Sequence, residues 1–530
     1  MNKTNNVSSL WFGLLLYWGL VLFLLGISIK INNGFFGYPI DDTYIHMAMG
    51  KHLIMDGYWG VSQFGFSSST SSPLWTFLIT VSYMVFGVND YSPFLLALIS
   101  GTLIIFYSHS ILSTKLDAFR IKIYLSTIII FTPLAMLTLS GMEHLLHALL
   151  TIILLFTAIE YLDNFQASRK STLLIILISA VITITRYEGL FLIFSLCLIL
   201  LLQRRFVQSI LIGAAGLLPI IVYGFFSISK GWMFLPNSVL LKGNSLQLSL
   251  EGLLLFFQRL LTNILLAPHI FILLLASIGV FFWAKQRQIT SNKEKYLTTL
   301  YVMTGYLHMQ FAGVGWFYRY DAYLVLTGIL LIAWIAAQRL KTAQSTEQGN
   351  LLKNSAFLLL GVLLIMPLTI RAAMSHSQYP TATKNIHDQQ SQMALFITKY
   401  YGGSVIAAND IGAINYIADV KTLDLFGLAS LDVAQAKRNG NYDADTIQEL
   451  VLDNGVEIIV IYDAWFKDNR PSEWIEVGKW KIANNVVCAD DTVTFYVPDE
   501  SFKSKAVESL KKFSIFLPND VEQSGLYTGH

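Results

Sequence analysis

The sequence predicts a polytopic α-helical membrane protein that ends in a small α/β domain. Three observations predict it. Hydrophobic residues make up 54% of the 530-residue chain and charged residues only 13%, about half the charge of an ordinary soluble domain. Apolar runs of roughly membrane-spanning length recur from residue 10 to residue 373. After Arg371 that pattern stops, and short β-branched runs alternate with polar helical stretches. This composition excludes a disordered chain, a collagen-like chain and an ordinary soluble enzyme. Two cysteines, Cys197 and Cys488, exclude a disulfide scaffold.

The apolar runs fall at about 10–30, 73–88, 93–113, 121–140, 142–162, 171–186, 188–203, 207–228, 263–285, 297–315, 320–338 and 353–373. The first is too long for a removable signal peptide and has no small-residue cleavage site, so it reads as a retained helix. Basic residues gather at Lys115/Arg120/Lys122, Arg169/Lys170, Arg204/Arg205, Lys285/Arg287/Lys293/Lys295 and Arg339/Lys341/Lys353. The positive-inside rule makes these loops cytoplasmic. The loops around Gly141, Arg186 and Arg319, the segment 229–262, and everything after 373 are then external. With a cytoplasmic amino terminus, loop 31–72 is external, and 73–88 and 93–113 cannot both cross. The run 73–88 is therefore expected to be short, re-entrant or interfacial, leaving about eleven spans.

Residues 1–373 form the expected membrane module and 374–530 the periplasmic or extracellular α/β domain. Residues 404–409, 456–462 and 492–497 read as strands, and 444–454 as a helix ending at Gly455. A helix over 504–516 and a loose tail complete it. Residues 374–530 hold 13 Lys+Arg against 21 Asp+Glu, while the first 373 residues hold 23 against 13. A basic membrane part thus precedes an acidic soluble part. No nucleic-acid patch stands out.

Chemistry concentrates in the first external loop, Tyr38-Pro39-Ile40-Asp41-Asp42-Thr43-Tyr44-Ile45-His46. A carboxylate at a membrane face is costly unless it is used or paired. The run Ile45–Leu53 reads as a short helix lying on the membrane surface. The hydroxyl run Ser67-Ser68-Ser69-Thr70-Ser71-Ser72 leads into Pro73, which can open a helix. Its plain reading is a solvated loop with an N-cap. Other polar groups fall on external helix ends: Glu143 and His144, Arg186 and Glu188, Asn237 and Lys242, and Arg319, Tyr320 and Asp321. Each alone has a bland reading, as a local ion pair, an interfacial anchor or an aromatic belt. All of them map to one membrane face together with Asp41 and Asp42. A lipid-linked phosphate needs Lys or Arg to hold it and to stabilise the leaving charge. A sugar acceptor hydroxyl needs a carboxylate base. A second carboxylate could instead hold a divalent metal on the phosphate.

These segments resemble the GT-C class of membrane glycosyltransferases, and within it the mycobacterial terminal arabinofuranosyltransferases and their bacterial relatives. The resemblance rests on Asp41-Asp42, Ser72-Pro73-Leu74-Trp75, Ser140-Gly141-Met142-Glu143, Thr185-Arg186-Tyr187-Glu188-Gly189-Leu190, and Pro236-Asn237 with Lys242. Asp410-Ile411-Gly412-Ala413-Ile414 and Leu423-Asp424-Leu425-Phe426-Gly427-Leu428 extend it into the carboxy-terminal domain. Tyr187 departs from the more usual proline. The resemblance implies transfer of a sugar, usually with inversion, from a polyprenyl-phosphate carrier in the membrane lipid. The acceptor is a cell-envelope glycan, glycolipid or glycoprotein on the outer face. It implies a base at Asp41 or Asp42, with Arg186, Lys242 and Arg319 on the phosphate. Tyr44, His46, Glu143, His144, Glu188, Asn237, Tyr320 and Asp321 would then contact sugar or acceptor or support those that do. No cofactor is certain. A divalent metal (Mg, Mn or Ca) has Asp41, Asp42 and Glu143 as candidate ligands.

A transporter or lipid-linked sugar flippase is the main rival, since it too needs many spans and a few membrane charges. The charges here cluster at one face instead of the midplane, and no inverted repeat is visible. An external domain of this size is also unusual for a carrier. A non-enzymatic scaffold leaves Asp41-Asp42 without an explanation.

Overall fold

The computed structural model describes residues 3–164, 169–242, 250–286, 291–342 and 355–528. The chain divides into two compact units. One comprises Met1–Leu24, Phe94–Val222 and Gly243–Ser377, and the other Leu25–Pro93, Tyr223–Lys242 and Gln378–His530.

The first unit is helical. Among the described residues, five helices of the chain are long and apolar enough to cross a membrane: Val7–Ile31, Ser92–Ser113, His144–Asp163, Phe206–Ser229 and Pro268–Gln286. Shorter apolar helices include Gly189–Leu202 and Ala322–Ala337. His144–Asp163 is the central one, with 72% of its apolar window buried against 39% for Pro268–Gln286. It packs on Arg169–Thr185, Asn292–Phe311 and Ala322–Thr342. The run expected at 121–140 is broken into Ala118–Phe131 and Leu134–Leu139. Pro133 lies at the break, where a residue without an N–H cannot continue the ladder. Part of the expected loop 229–262 is also helical, as Asn237–Lys242 and the start of Leu250–Leu266.

The second unit is built on a six-stranded sheet. Its strands are β1 (Val405–Ala408), β2 (Lys421–Asp424), β3 (Ile458–Ile461), β4 (Ile475–Lys481), β5 (Thr492–Val497) and β6 (Glu522–Ser524). The order is β2-β1-β3-β5-β4-β6. β1 pairs parallel with β2 and β3, and the remaining pairs are antiparallel. Central β3 reads Ile-Ile-Val-Ile and is buried throughout, as a strand covered on both faces must be. Ile459, Ile461, Leu423, Val433, Ile447 and Val451 form one of its cores.

Two helices of the first loop belong to this unit. Asp41–Met55 runs for 15 residues, and nine of them, including His46 and Met49, are buried. It packs on Pro73–Phe86 and Gly412–Ile417, so protein covers much of its surface. Pro73–Phe86 begins as expected, with Ser72 as N-cap and proline in the first turn. Its 14 residues extend about 21 Å at 1.5 Å per residue, short of the roughly 30 Å a bilayer core requires.

Candidate functional site

Each unit carries one constellation of polar residues. In the second unit it centres on Asp41, in the first turn of Asp41–Met55. Backbone N–H groups of Gly412 and Ala413 donate to Asp41 Oδ2 and Oδ1 at 2.6 and 2.8 Å. Asp41 therefore caps the short helix Gly412–Ile417 through both carboxylate oxygens. Only glycine fits at 412, because a Cβ there would lie 2.2 Å from the Asp41 carbonyl oxygen. Burial, then the negative charge of Asp410, push the Asp41 carboxyl up to about 8, against the two amide bonds, with Asp42 adding a smaller upward push. Asp41 keeps some solvent access. Asp42 is also partly exposed.

The surroundings of this pair are supporting structure. Tyr44 is buried, its hydroxyl accepts from the Tyr38 N–H at 3.1 Å, and its ring meets Tyr38 and Tyr416. His46 Nδ1 lies 2.7 Å from Thr76 Oγ1 and 3.4 Å from Thr70 Oγ1. The hydroxyl run is not a solvated loop. Ser67, Ser68, Ser69, Thr70 and Ser72 are all buried, and their hydroxyls satisfy one another and the backbone. Ser69 Oγ donates to the Leu428 carbonyl at 2.8 Å. Asn237 donates through its N–H to the Ser68 carbonyl and through Nδ2 to the Gly427 carbonyl, both at 2.8 Å. Asn237 thus clips the serine loop to the turn after β2. The backbone of Lys242 ends the helix Asn237–Lys242, and its side chain lies outside the described residues.

In the first unit Arg186 stands at the centre. It donates to Glu143 Oε1 at 2.7 Å, and to Glu188 through Nε at 3.1 Å and Nη2 at 2.5 Å. His144 Nε2 lies 2.9 Å from Arg186 Nη1. Glu143 and His144 come from the start of the central helix, and Arg186 and Glu188 from the turn before Gly189–Leu202. The guanidinium carbons of Arg186 and Arg319 lie 5.2 and 5.1 Å from the Tyr320 ring centroid, within cation–π range. Arg319 is 1% exposed, so its charge acts in a low-dielectric setting. The turn that presents it is strained: Phe317 and Tyr318 have φ of 51° and 61°, a conformation bulky residues rarely adopt and one that gathers at functional sites.

Asp321 is brought to different partners. It pairs with His269 Nε2 and with Arg371 Nη2, the latter at 3.2 Å. Arg371 also holds the Tyr318 and Phe131 carbonyls at 2.6 and 3.0 Å, so this group braces the strained turn. His147, His308 and Tyr323 are buried nearby, with Tyr323 Oη 3.0 Å from His308 Nδ1 and its ring against His147. The sequence reading missed His147, His269, His308 and Arg371 as site-associated residues. The available signal was a titratable side chain inside or next to an apolar run. It also quoted Asp410 only as part of a motif.

Among the described residues no three His, Cys, Asp or Glu side chains converge as metal ligands.

Comparison with known proteins adds the fold class. A family model described as a domain of unknown function (DUF8728) matches residues 384–496. No curated protein sequence matches the chain. Among solved structures, ArnT from Cupriavidus metallidurans bound to undecaprenyl phosphate aligns with a TM-score of 0.54 at 12% identity. The alignment covers 92% of this chain and 98% of that one. The apo form of the same ArnT gives 0.54 at 11% identity over the same shares. An oligosaccharyltransferase from Archaeoglobus fulgidus, in complex with Zn and sulfate, gives 0.49 at 13% identity over 89% of this chain and 73% of that one. The chain thus has the GT-C-like fold expected from the sequence, a multi-pass helical module with a domain containing a mixed sheet.

Proposed function

We propose that this protein is a glycosyltransferase that takes a sugar from a polyprenyl-phosphate carrier and passes it, with inversion, to a cell-envelope glycan, glycolipid or glycoprotein. The reaction takes place on the external face of the membrane, where residues 374–530 also lie. The observation that carries this reading is the Asp41 carboxyl, enclosed by backbone amides and pushed up to about 8 by burial and the Asp410 charge. A base is most effective when its proton affinity lies near the working pH. The likeness in fold to ArnT, solved with undecaprenyl phosphate, supports a lipid-phosphate donor.

The chemistry then follows from the residues. Asp41, or its neighbour Asp42, takes the proton of the acceptor hydroxyl as that oxygen bonds to the anomeric carbon. The bond from that carbon to the phosphate oxygen breaks, and polyprenyl phosphate leaves with the electron pair. The leaving charge needs a cation to balance it, for which the sequence offers Arg186, Lys242 and Arg319. The cluster Glu143–Arg186–Glu188 carries two carboxylates against one guanidinium. That balance suits sugar hydroxyls better than a second phosphate contact, with His144 completing the cluster. Tyr44, His46 and Asn237 hold the helix and loop around Asp41, and Asp321 braces the turn that presents Arg319. The resemblance to arabinofuranosyltransferases keeps pentosyl carriers in the donor panel beside hexosyl ones.

The test separates transfer from transport. Purified protein in liposomes is given polyprenyl-phosphate pentoses and hexoses with envelope extract. Extract-dependent release of free polyprenyl phosphate supports the proposal. A donor that is bound, moved across the bilayer and never cleaved would establish a flippase instead.

A further inference from the structure

The motif Asp410-Ile411-Gly412-Ala413 lies at the end of β1, where the chain turns into Gly412–Ile417. Its amides grip both oxygens of Asp41. The Asp410 carboxylate is itself held: Gln390 Nε2 donates to Oδ2 at 2.9 Å, and Tyr462 Oη, whose single proton is shared with Gln389 Oε1, lies 2.7 Å from each acceptor. Gln390 lies in the π-helical turn His387–Ser391, a distortion often found at functional sites. Its amide also donates to Tyr462 Oη at 2.6 Å, and Cys488 Sγ donates to its Oε1 at 3.4 Å. A polar network from the π-turn and the sheet therefore ends on a carboxylate beside the candidate base.

We infer that Asp410 is a positioning residue for the Asp41 base, its carboxylate anchored by Tyr462 and Gln390 so that its charge and its loop act together on the first-loop carboxylate. This rests on Asp41 acting as the base. Hydrogen bonds donated to a carboxylate favour its charged form. A fixed negative charge next to Asp41 makes Asp41 hold a proton more tightly, and hence makes its ionised form a stronger base. The amides of Gly412 and Ala413 keep that carboxylate in place while its proton affinity rises. The titratable groups whose charges couple to Asp41 besides Asp410 are acidic ones. Asp42 and Tyr44 share its helix, and Tyr462 and Cys488 lie on the sheet side. Tyr416 and Tyr83 come from the helices packed against it. Lys51, at the far end of Asp41–Met55, donates to the Tyr416 carbonyl at 2.9 Å.

The test is the pH–rate profile of polyprenyl-phosphate release by the full-length protein, wild type against Asp410→Asn and Tyr462→Phe. Wild-type rate should climb with pH through about 8. In Asp410→Asn the acidic limb should move down by about one pH unit or more, with a lower plateau. Tyr462→Phe, which leaves the loop and both carboxylates intact, should move it the same way by less. Melting temperature gives a readout independent of turnover. A folded carboxyl raised above its unfolded value of about 4 contributes stability at low pH that is lost as pH rises through its folded value. Asp410→Asn should therefore gain stability relative to wild type between about pH 4 and pH 8. Folded variants whose limb and melting difference both stay flat with pH would overturn the inference. Full activity in Asp41→Asn would instead remove the base assignment itself, a distinguishable result.

Discussion

Replacing Gly412 with alanine puts the Asp41 environment under direct strain. The added Cβ would lie 2.2 Å from the Asp41 carbonyl oxygen, 2.7 Å from Oδ2 and 2.8 Å from Cγ. Ordinary contact begins near 3.4 Å, so the two chains must separate by roughly 1 Å, since neither a backbone carbonyl nor an anchored carboxylate can swing aside. Overpacking costs about 1–3 kcal/mol. Losing one charge-assisted bond from Gly412 or Ala413 costs roughly 1.5–3 kcal/mol more. A destabilisation of about 3–5 kcal/mol is expected, read as a melting temperature several degrees lower. Donor turnover should fall about 100-fold, the scale of loss that a 1 Å misplacement produces. Both are measured on detergent-purified protein, by thermal unfolding and by polyprenyl-phosphate release. Wild-type melting and wild-type turnover in Gly412→Ala would refute the placement of Asp41 against this loop.

Other consequences can be checked the same way. Arg186→Met leaves Glu143 and Glu188 facing each other without their cation. It should destabilise the protein by about 3–5 kcal/mol, and adding Glu143→Gln should recover part of that loss in a thermal-melt double-mutant cycle. Arg319→Lys keeps the charge but loses the flat guanidinium against Tyr320. Kinetics should show KM for the lipid donor raised several-fold with the fold intact. His46→Phe removes one of the partners of the buried Thr76 hydroxyl, which keeps Thr70 and the Ser72 carbonyl, and should cost about 0.5–1.5 kcal/mol with kcat within a few-fold of wild type. A far larger fall in kcat would make His46 part of the reacting centre.

Much of the architecture could be read from the sequence because hydropathy and β-branching are local signals. Val456-Glu457-Ile458-Ile459-Val460-Ile461-Tyr462 announces β3, and Ser72-Pro73 announces a helix start. β2 (Lys-Thr-Leu-Asp) and β6 (Glu-Gln-Ser) did not announce themselves, being short and mostly polar. Gly478 interrupts the alternation of β4, beside an irregularity in its pairing with β5. The helix Ser355–Ile386 continues well past the apolar stop at residue 373, since polarity alone does not end a helix. Within the site, Asp41-Asp42 stood out as carboxylates next to an apolar run. Glu143, Arg186 and Glu188 were each flagged, but their joint pairing spans 43 residues of chain and leaves no local trace. The same holds for Asp321 with His269 and Arg371, which lie 52 and 50 residues away. The hydroxyl run looked solvated because sequence cannot show that its groups satisfy one another.

The most direct measurement of the central claim is single-turnover donor consumption by wild type, Asp41→Asn and Asp42→Asn with a radiolabelled polyprenyl-phosphate sugar and envelope acceptor. Wild type should form polyprenyl phosphate only when the acceptor is present. Loss of about 100-fold or more is expected in one aspartate variant, while donor binding is retained. Equal turnover in all three proteins would contradict it, because the first-loop carboxylates would then have no part in the chemistry.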